Sequence, residues 1–425
     1  IGRASPNALD RGEARCRGIV VTQDRLAVFR NRGYPSFVVA LFFNGVSVQI
    51  QTVAVGWQLY DITHDPMDLA WVGLSQFLPG LLLFLITGSA ADRLSRRKLM
   101  AVCLATMGLI PVALLALTRT QTILPGYVFG LMALFGAARA FYNPVRQSLA
   151  PNIVSAKDLP AALALNSSVF KISMIVGPVF GGMLYGISPE ATYALAGTAS
   201  LVSGGLILLV PKPAQAKEIR KQSWEELTAG IRFIVQRPLL LGAISLDLFV
   251  GLVGGAIALL PVYASDILGT NATGLGILRA APAVGGILVG VWLTSNPILG
   301  RAGSKLFASI AIFGVATVIF AVSPTLWLSA LALVVLGGSD MISVVIRSSL
   351  VQLNTPDHLR GRVNAINVLF IGASNELGAF RAGTMAAFFG PVFAVAGGGV
   401  LALLICAGWT RVFPTLRSAD RLGPS

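Results

Sequence analysis

Twelve apolar runs, each long enough to reach across a lipid bilayer, constrain this chain more than any other feature. A helix needs about 20 mainly apolar residues to cross the hydrocarbon core. Runs of that kind, set between charged or Gly/Pro-rich breaks, lie near residues 36–60, 69–91, 98–118, 124–145, 161–186, 190–210, 239–264, 273–296, 304–322, 325–349, 363–388 and 390–412. They predict an all-α membrane protein with twelve transmembrane helices. Composition agrees, since only 12% of the 425 residues are charged and the mean hydropathy is +0.77. A soluble chain carries roughly a quarter charged residues, and it could not hide so much apolar surface from water.

Most connections are short, so consecutive helices are antiparallel neighbours. The exception, residues 211–238, separates six runs from six. The expected organisation is a tail over 1–29, a six-helix bundle over 30–210, a linker over 211–238, a second six-helix bundle over 239–413 and a tail over 414–425. Orientation follows from Lys and Arg, which collect on the cytoplasmic side. With the N-terminus inside, 27 of the 32 basic residues face the cytoplasm, whereas the first outer loop, Asp61 to Asp68, holds three acids and no base. Both termini are therefore expected in the cytoplasm of a multi-pass inner (plasma) membrane protein. The formal charge of +14 becomes a topology signal, and nucleic acid drops out as a partner; the lipid bilayer and a small-molecule substrate remain. The polar, Arg-rich start has no apolar stretch and reads as a tail, not a signal peptide.

In the linker, Trp224, Leu227, Ile231 and Ile234 recur at helical spacing, which predicts an amphipathic helix on the inner membrane surface. Cys16, Cys103 and Cys406 are far apart, and His64 and His358 are the only histidines. Neither set forms a metal pattern, so no metal and no cofactor are expected.

Shifted by 201 residues, the chain matches itself without a gap. Gly136, Arg146, Ser148, Leu149, Ala164, Asn166, Ser173, Gly177 and Gly182 meet Gly337, Arg347, Ser349, Leu350, Ala365, Asn367, Ser374, Gly378 and Gly383. The match joins run four to run ten and run five to run eleven, so the two bundles are expected to be repeats of like orientation. Transporters that bind substrate between halves are built this way.

Polar groups facing lipid are expensive, so their spacing marks the faces that look at a cavity or a neighbour. Asn44, Ser47, Gln51 and Gln58 share one face of run one. Run four shows Arg139, Asn143 and Arg146; run ten shows Asp340, Ser343 and Arg347; run seven offers Asp247 before Gly251, Gly254 and Gly255. A water-filled path between the halves explains these faces, with Asn44, Ser47, Gln51, Gln58, Arg139, Asn143, Lys171 and Ser343 as cavity-lining candidates. Interhelical hydrogen bonding is the competing explanation for any one of them. A carboxyl exposed alternately to two sides, near a cation, can carry a proton. Asp340 and Glu376 are the first candidates for that role and Asp247 the third, with structural pairing, such as Arg139 with Asp340, as the alternative.

Between runs two and three stands Gly88-Ser-Ala-Ala-Asp92-Arg93-Leu-Ser-Arg96-Arg97-Lys98. This resembles the cytoplasmic signature of the major facilitator superfamily, with Ala90 and Ser95 departing from its pattern. The resemblance implies the major facilitator fold and a conformational latch made of Gly88, Asp92, Arg93, Arg96 and Arg97. It also implies that Asp92 caps the start of run eleven near Gly361, where a positive helix end favours an anion. Run five carries Gly177-Pro178-Val-Phe-Gly181-Gly182, which is similar to a motif of the superfamily's exporters. Pro178 bends a helix, and the glycines let another helix approach. The stretches Arg139-Ala-Phe-Tyr-Asn143-Pro144-Val-Arg146-Gln147 through Leu163-Ala-Leu-Asn166, and Asn375-Glu376-Leu-Gly378-Ala-Phe-Arg381-Ala-Gly383, resemble the enterobactin-exporter-like (transmembrane secretion effector) branch. Ala379 stands where that branch is expected to hold an acid, and Arg381 alters its acidic-aromatic pattern.

No Gly-x-x-x-x-Gly-Lys-[Ser/Thr] loop and no Gly-x-Ser-x-Gly elbow occur in the sequence. The expected activity is secondary transport, not catalysis. The leading expectation is proton-coupled export of a small amphipathic molecule, a siderophore or drug, by a monomer through rocker-switch alternating access. An importer or facilitator on the same fold, or a polytopic membrane enzyme, are the alternatives.

Overall fold

A computed structural model describes residues 27–155, 157–212, 224–298 and 300–420. The first half comprises α1 (Tyr34–Thr63), α2 (Pro66–Arg93), α3 (Arg96–Arg119), α4 (Pro125–Ile153), α5 (Leu159–Ile187) and α6 (Pro189–Leu209). After the linker helix α7 (Trp224–Val235), the second half runs through α8 (Pro238–Val253), the short α9 (Leu260–Val262), α10 (Ala272–Ser295), α11 (Ala302–Val322), α12 (Leu326–Leu353), α13 (Asp357–Phe389), α14 (Pro391–Val412) and α15 (Pro414–Arg417). Proline explains many of the starts. Pro66, Pro125, Pro189, Pro238 and Pro391 each open a helix, where a missing N–H costs nothing. Side-chain caps reinforce α2 and α6 and start α10. Asp65 Oδ1 accepts from Met67 N at 2.8 Å, Ser188 Oγ from Ala191 N at 3.1 Å, and Asn271 Oδ1 from both Thr273 N and Gly274 N.

Ten helical segments among the described residues are long and apolar enough to cross a membrane. The helices α2 and α13, of 28 and 33 residues, fall outside that set. Each is about 40 Å long or more at 1.5 Å per residue, and the two pack on each other. Polar residues along α13, among them Asn364, Asn367, Asn375, Glu376 and Arg381, lower its hydropathy.

The repeat is visible in the packing. In the first half α1 packs on α5, α2 on α4 and α3 on α6; in the second, α8 packs on α13, α10 on α12 and α11 on α14. Matched glycines do matched work. A Cβ on Gly136 of α4 would come 2.9 Å from Gln76 Cα of α2, and one on Gly337 of α12 would come 2.5 Å from Pro282 Cα of α10. Gly177 of α5 faces α1 at Val46 and Gln49, while Gly378 of α13 faces α8 at Gly251 and Leu252. Ser173 and Ser374 are both buried beneath glycines of the neighbouring helix, Gly45 and Gly251. Small residues at these sites let backbones approach closely enough for van der Waals packing to hold helices in lipid.

The halves meet through α5 on α10 and α2 on α13. At Gly182 a Cβ would strike the Ala272 carbonyl and come 3.1 Å from Gly276 Cα; at Gly383 it would come 2.6 Å from Ala70 Cβ and 2.9 Å from Pro66 O. Trp71 and Phe380 meet edge-on at 5.3 Å, and the Tyr60 hydroxyl donates to Asp266. All these contacts lie toward the helix ends that carry residues 64–65, 188, 268–271 and 390. That end is closed.

One expected span is interrupted. The run over 239–264 folds as α8, a break at Gly254–Gly255, a 3-10 turn Ala256–Leu259, α9 and a π turn Tyr263–Ile267. Gly255 has φ +93°, and a Cβ there would meet Gly378 O at 2.5 Å, so the break needs glycine for both its conformation and its closeness to α13. The linker holds α7, of which the side chains of Trp224 and Leu227 lie outside the described residues. Its apolar face divides: Ile234 is buried with Leu240, Ile244, Val363 and Ile366, whereas Ile231 is exposed.

Candidate functional site

The side chains proposed to line a path separate into two groups. Arg139 and Asn143 on α4 and Asp340 on α12 are exposed although they stand mid-helix. At 1.5 Å per residue, Arg139, Asp340 and Glu376 lie about 20 Å from the closed ends of their helices, and Lys171 lies about 24 Å from its own. These four therefore form one layer at mid-depth, with Arg139 and Lys171 from the first half and Asp340 and Glu376 from the second. Glu376 Oε2 reaches across to α2, where it would lie 3.1 Å from a Cβ on Gly73. The charges that act on it are those of Arg139 and of Arg279 on α10. Lys171 Nζ also crosses between halves and donates to Met341 Sδ at 3.6 Å.

Asp247 takes a different partner. Arg347 Nη1 donates to Asp247 Oδ1 and to Ser343 Oγ at 3.3 Å, so an ion pair ties α12 to α8. Asp340, on the same face of α12, interacts electrostatically with Arg347. Among the described residues no ion pair joins Arg139 to Asp340; Arg139 instead acts on Glu376.

The polar face of α1 packs against its own bundle. Asn44, Ser47, Gln51 and Gln58 are buried within the first bundle. Ser47 Oγ donates to Ala196 O at 2.6 Å, and Gln51 Nε2 lies 3.8 Å from Met132 Sδ. Gln58 Nε2 donates to Thr118 Oγ1 at 3.0 Å and its Oε1 accepts from Tyr193 OH at 2.7 Å. Ser200 Oγ donates to Asn44 Oδ1 at 3.4 Å. A polar arc satisfied by α3, α4 and α6 has the same spacing as one that faces water. Ser343 is likewise buried, as a second anchor for Arg347 rather than a lining group.

The signature between α2 and α3 is placed in part. Gly88, Asp92 and Arg93 stand in the last turns of α2, and their side chains lie outside the described residues. Arg96 Nη1 donates to Ser148 O at 3.4 Å, and Arg97 Nη1 to Val210 O at 3.0 Å. Both cations thus bind carbonyls where α4 and α6 end, a favourable site for positive charge. The exporter-like motif faces two partners: Gly177 and Gly181 lie against α1, and Gly182 lies against α10 of the other half.

Arg381, outside the expected site set, has a defined task. Its Nε donates to Leu252 O at 3.1 Å, and Nη2 donates to Val253 O at 2.6 Å and Gly254 O at 2.8 Å. The guanidinium therefore satisfies the carbonyls freed where α8 breaks. Its presence in an apolar run was the available signal; the glycine pair it serves lies 126 positions earlier.

The sequence profile of the Major Facilitator Superfamily matches residues 37–379. The chain belongs to that superfamily. This Major Facilitator Superfamily transporter is a multi-pass protein of the inner membrane that works on a small-molecule substrate. It is 26% identical, over 383 residues, to the enterobactin exporter EntS of Shigella boydii serotype 18, with 88% of this chain and 90% of that one aligned. The enterobactin exporter EntS of Escherichia coli O81 matches to the same extent. Among solved structures, a bacterial homolog of the human lysosomal transporter Spinster, inward-facing and unoccupied, superposes with a TM-score of 0.72 at 15% identity, over 93% of this chain and 99% of that one. The nucleoside transporter NupG superposes with a TM-score of 0.61 at 16% identity, over 90% and 98%. At these identities the two structures bear on the fold alone.

Proposed function

We propose that this transporter exports a small amphipathic molecule, a siderophore or drug, by proton-coupled rocker-switch alternating access. The observation that carries the proposal is the contrast along the molecule. The two repeats close on each other at one end, while charged side chains from both repeats stand in one layer at mid-depth. Substrate and coupling-ion sites of such transporters lie near the bilayer midplane between repeats. The relatives named as exporters and the Gly177-Pro178-x-x-Gly181-Gly182 motif favour the outward direction.

On this reading α2 and α13 complete twelve spans, both termini lie in the cytoplasm, the closed end is the outer end, and the transporter works as a monomer. Asp340 and Glu376 carry the proton, with Asp247 held in its pair with Arg347. Gly88, Asp92, Arg93, Arg96 and Arg97 form the latch that closes the cytoplasmic end in the opposite state. In inside-out vesicles, substrate accumulation should collapse when the pH gradient is dissipated. Glu376→Gln or Asp340→Asn should abolish gradient-driven accumulation. Accumulation indifferent to the gradient supports a facilitator instead, and full coupling in both variants removes the proton assignment.

A further inference from the structure

We infer that the first half recognises an anionic group of the substrate through Arg139 and Lys171. This inference rests on the transporter reading above and names the substrate class: a small organic acid with an apolar body.

The charge distribution is the first support. Between residues 34 and 209, the acids Asp61, Asp65, Asp68, Asp92, Asp158 and Glu190 all stand in loops or near helix ends. At mid-depth this half presents cations only. The carboxylates that stand within helices away from their ends, Asp247, Asp340 and Glu376, belong to the second half.

Saturation is the second support. Arg347 is occupied by Asp247 and Ser343, and Arg381 by three backbone carbonyls. Lys171, by contrast, has a thioether for a partner, which is a weak acceptor. Among the described residues no carboxylate lies within ion-pairing distance of Lys171, Arg139 or Arg279. The charges of Arg139 and Arg279 both act on Glu376. Lys171 and Arg139 thus stand inside the membrane without a carboxylate at ion-pairing distance, where an uncompensated charge is expensive. A carboxylate or phosphate brings the missing charge and acceptor atoms, and Arg can hold such a group bidentately. Trp71 and Phe380, one turn from Glu376, supply an apolar surface beside it.

Three probes with one fluorophore and different charges test this: dansylglycine, dansylamide and dansylcadaverine, titrated against the purified full-length transporter by energy transfer from tryptophan. Dansylglycine should bind at least tenfold more tightly than dansylamide. Lys171→Met and Arg139→Gln should each remove that preference, while Lys171→Arg keeps it. Dansylamide should bind all variants alike, which also reports that they are folded. Equal affinity for acid and amide, a preference for dansylcadaverine, or an acid preference that survives both substitutions overturns the inference, as does binding of none of the three. In proteoliposomes, gradient-driven movement of dansylamide or dansylcadaverine alone leaves the transporter reading intact and rejects the anion site. Movement of none of the probes counts against the transporter reading itself.

Discussion

A methyl group at Gly182 should tip the balance between the two access states. An ideal Cβ there would strike the Ala272 carbonyl, lying 3.0 Å from its carbon and 3.1 Å from Gly276 Cα. Carbon atoms pack best at about 3.5–4.0 Å, so α5 and α10 must separate by about 0.5–1 Å. Both partners are backbone, so no side chain can move aside. Overpacking of this kind costs about 1–3 kcal/mol, and the cost falls only on the state in which the two halves touch here. A shift of that size changes the population ratio about 5- to 150-fold toward the state open at this end. Gly177→Ala is the control. Its Cβ meets Gln49 Cβ at 2.5 Å and Val46 O at 3.1 Å on α1 of the same half, so it should lower thermal stability without changing the ratio. The assay is labelling of Asn143→Cys by a membrane-impermeant maleimide applied to each face. The protein should carry Cys16→Ser, and native Cys103 and Cys406 are buried. Gly182→Ala should raise labelling from the outer face relative to the cytoplasmic face at least fivefold. An unchanged ratio accompanied by a lower Tm would refute the reasoning, because the strain would then be borne by the fold in both states.

Other consequences follow from individual contacts. Tyr60→Phe removes the hydroxyl that bridges the halves to Asp266 and should likewise favour outer labelling, by about tenfold for a charge-assisted bond of about 1.5 kcal/mol; no change would remove Tyr60 from the gate. Arg381→Leu frees three carbonyls at the α8 break and should cost about 2–4 kcal/mol, read as a fall in Tm that Arg381→Lys partly restores. At the loop before α5, hydrogen bonds from Asn31 and Ser155 hold the Asp158 carboxyl below the usual carboxylate range. A depressed carboxyl stabilises the fold above its unfolded pKa and ceases to do so as pH falls through the folded one. The stability difference between wild type and Asn31→Ala should therefore be present at neutral pH and shrink in acid below about pH 4. A difference independent of pH would show that the charge plays no part.

The helices were legible because a bilayer demands long apolar runs, although α4 runs to Ile153 past its expected end near 145, α13 starts at Asp357 before its expected start near 363, and run seven breaks after Val253. The duplication was legible because glycines at crowded contacts have no substitute: Gly136 and Gly337, or Gly182 and Gly383, sit at equivalent close approaches. Side-chain destinations were not. The α1 face of Asn44, Ser47, Gln51 and Gln58 is a true polar face, but periodicity reports a direction relative to one helix axis and not what lies in that direction. Here the neighbours are Thr118, Met132, Tyr193, Ala196 and Ser200. Pairing was hidden for a related reason. Whether Arg347 meets Asp247 and whether Arg139 acts on Glu376 depend on how four helices cross, and each candidate pair is separated by about a hundred residues or more. The break at Gly254–Gly255 was visible as glycine, but its stabilisation by Arg381 required the fold.

The central claim is that the two repeats move against each other around the charged layer, and paired spin-label distances test it most directly. Leu124 and Thr325 are repeat-equivalent positions at the closed end, and Asn152 and Leu353 are their counterparts at the other; all four are exposed. When a transported ligand or an imposed protonation step switches the state, the first distance should lengthen as the second shortens. Two distances that stay fixed, or that change in the same sense, would contradict it.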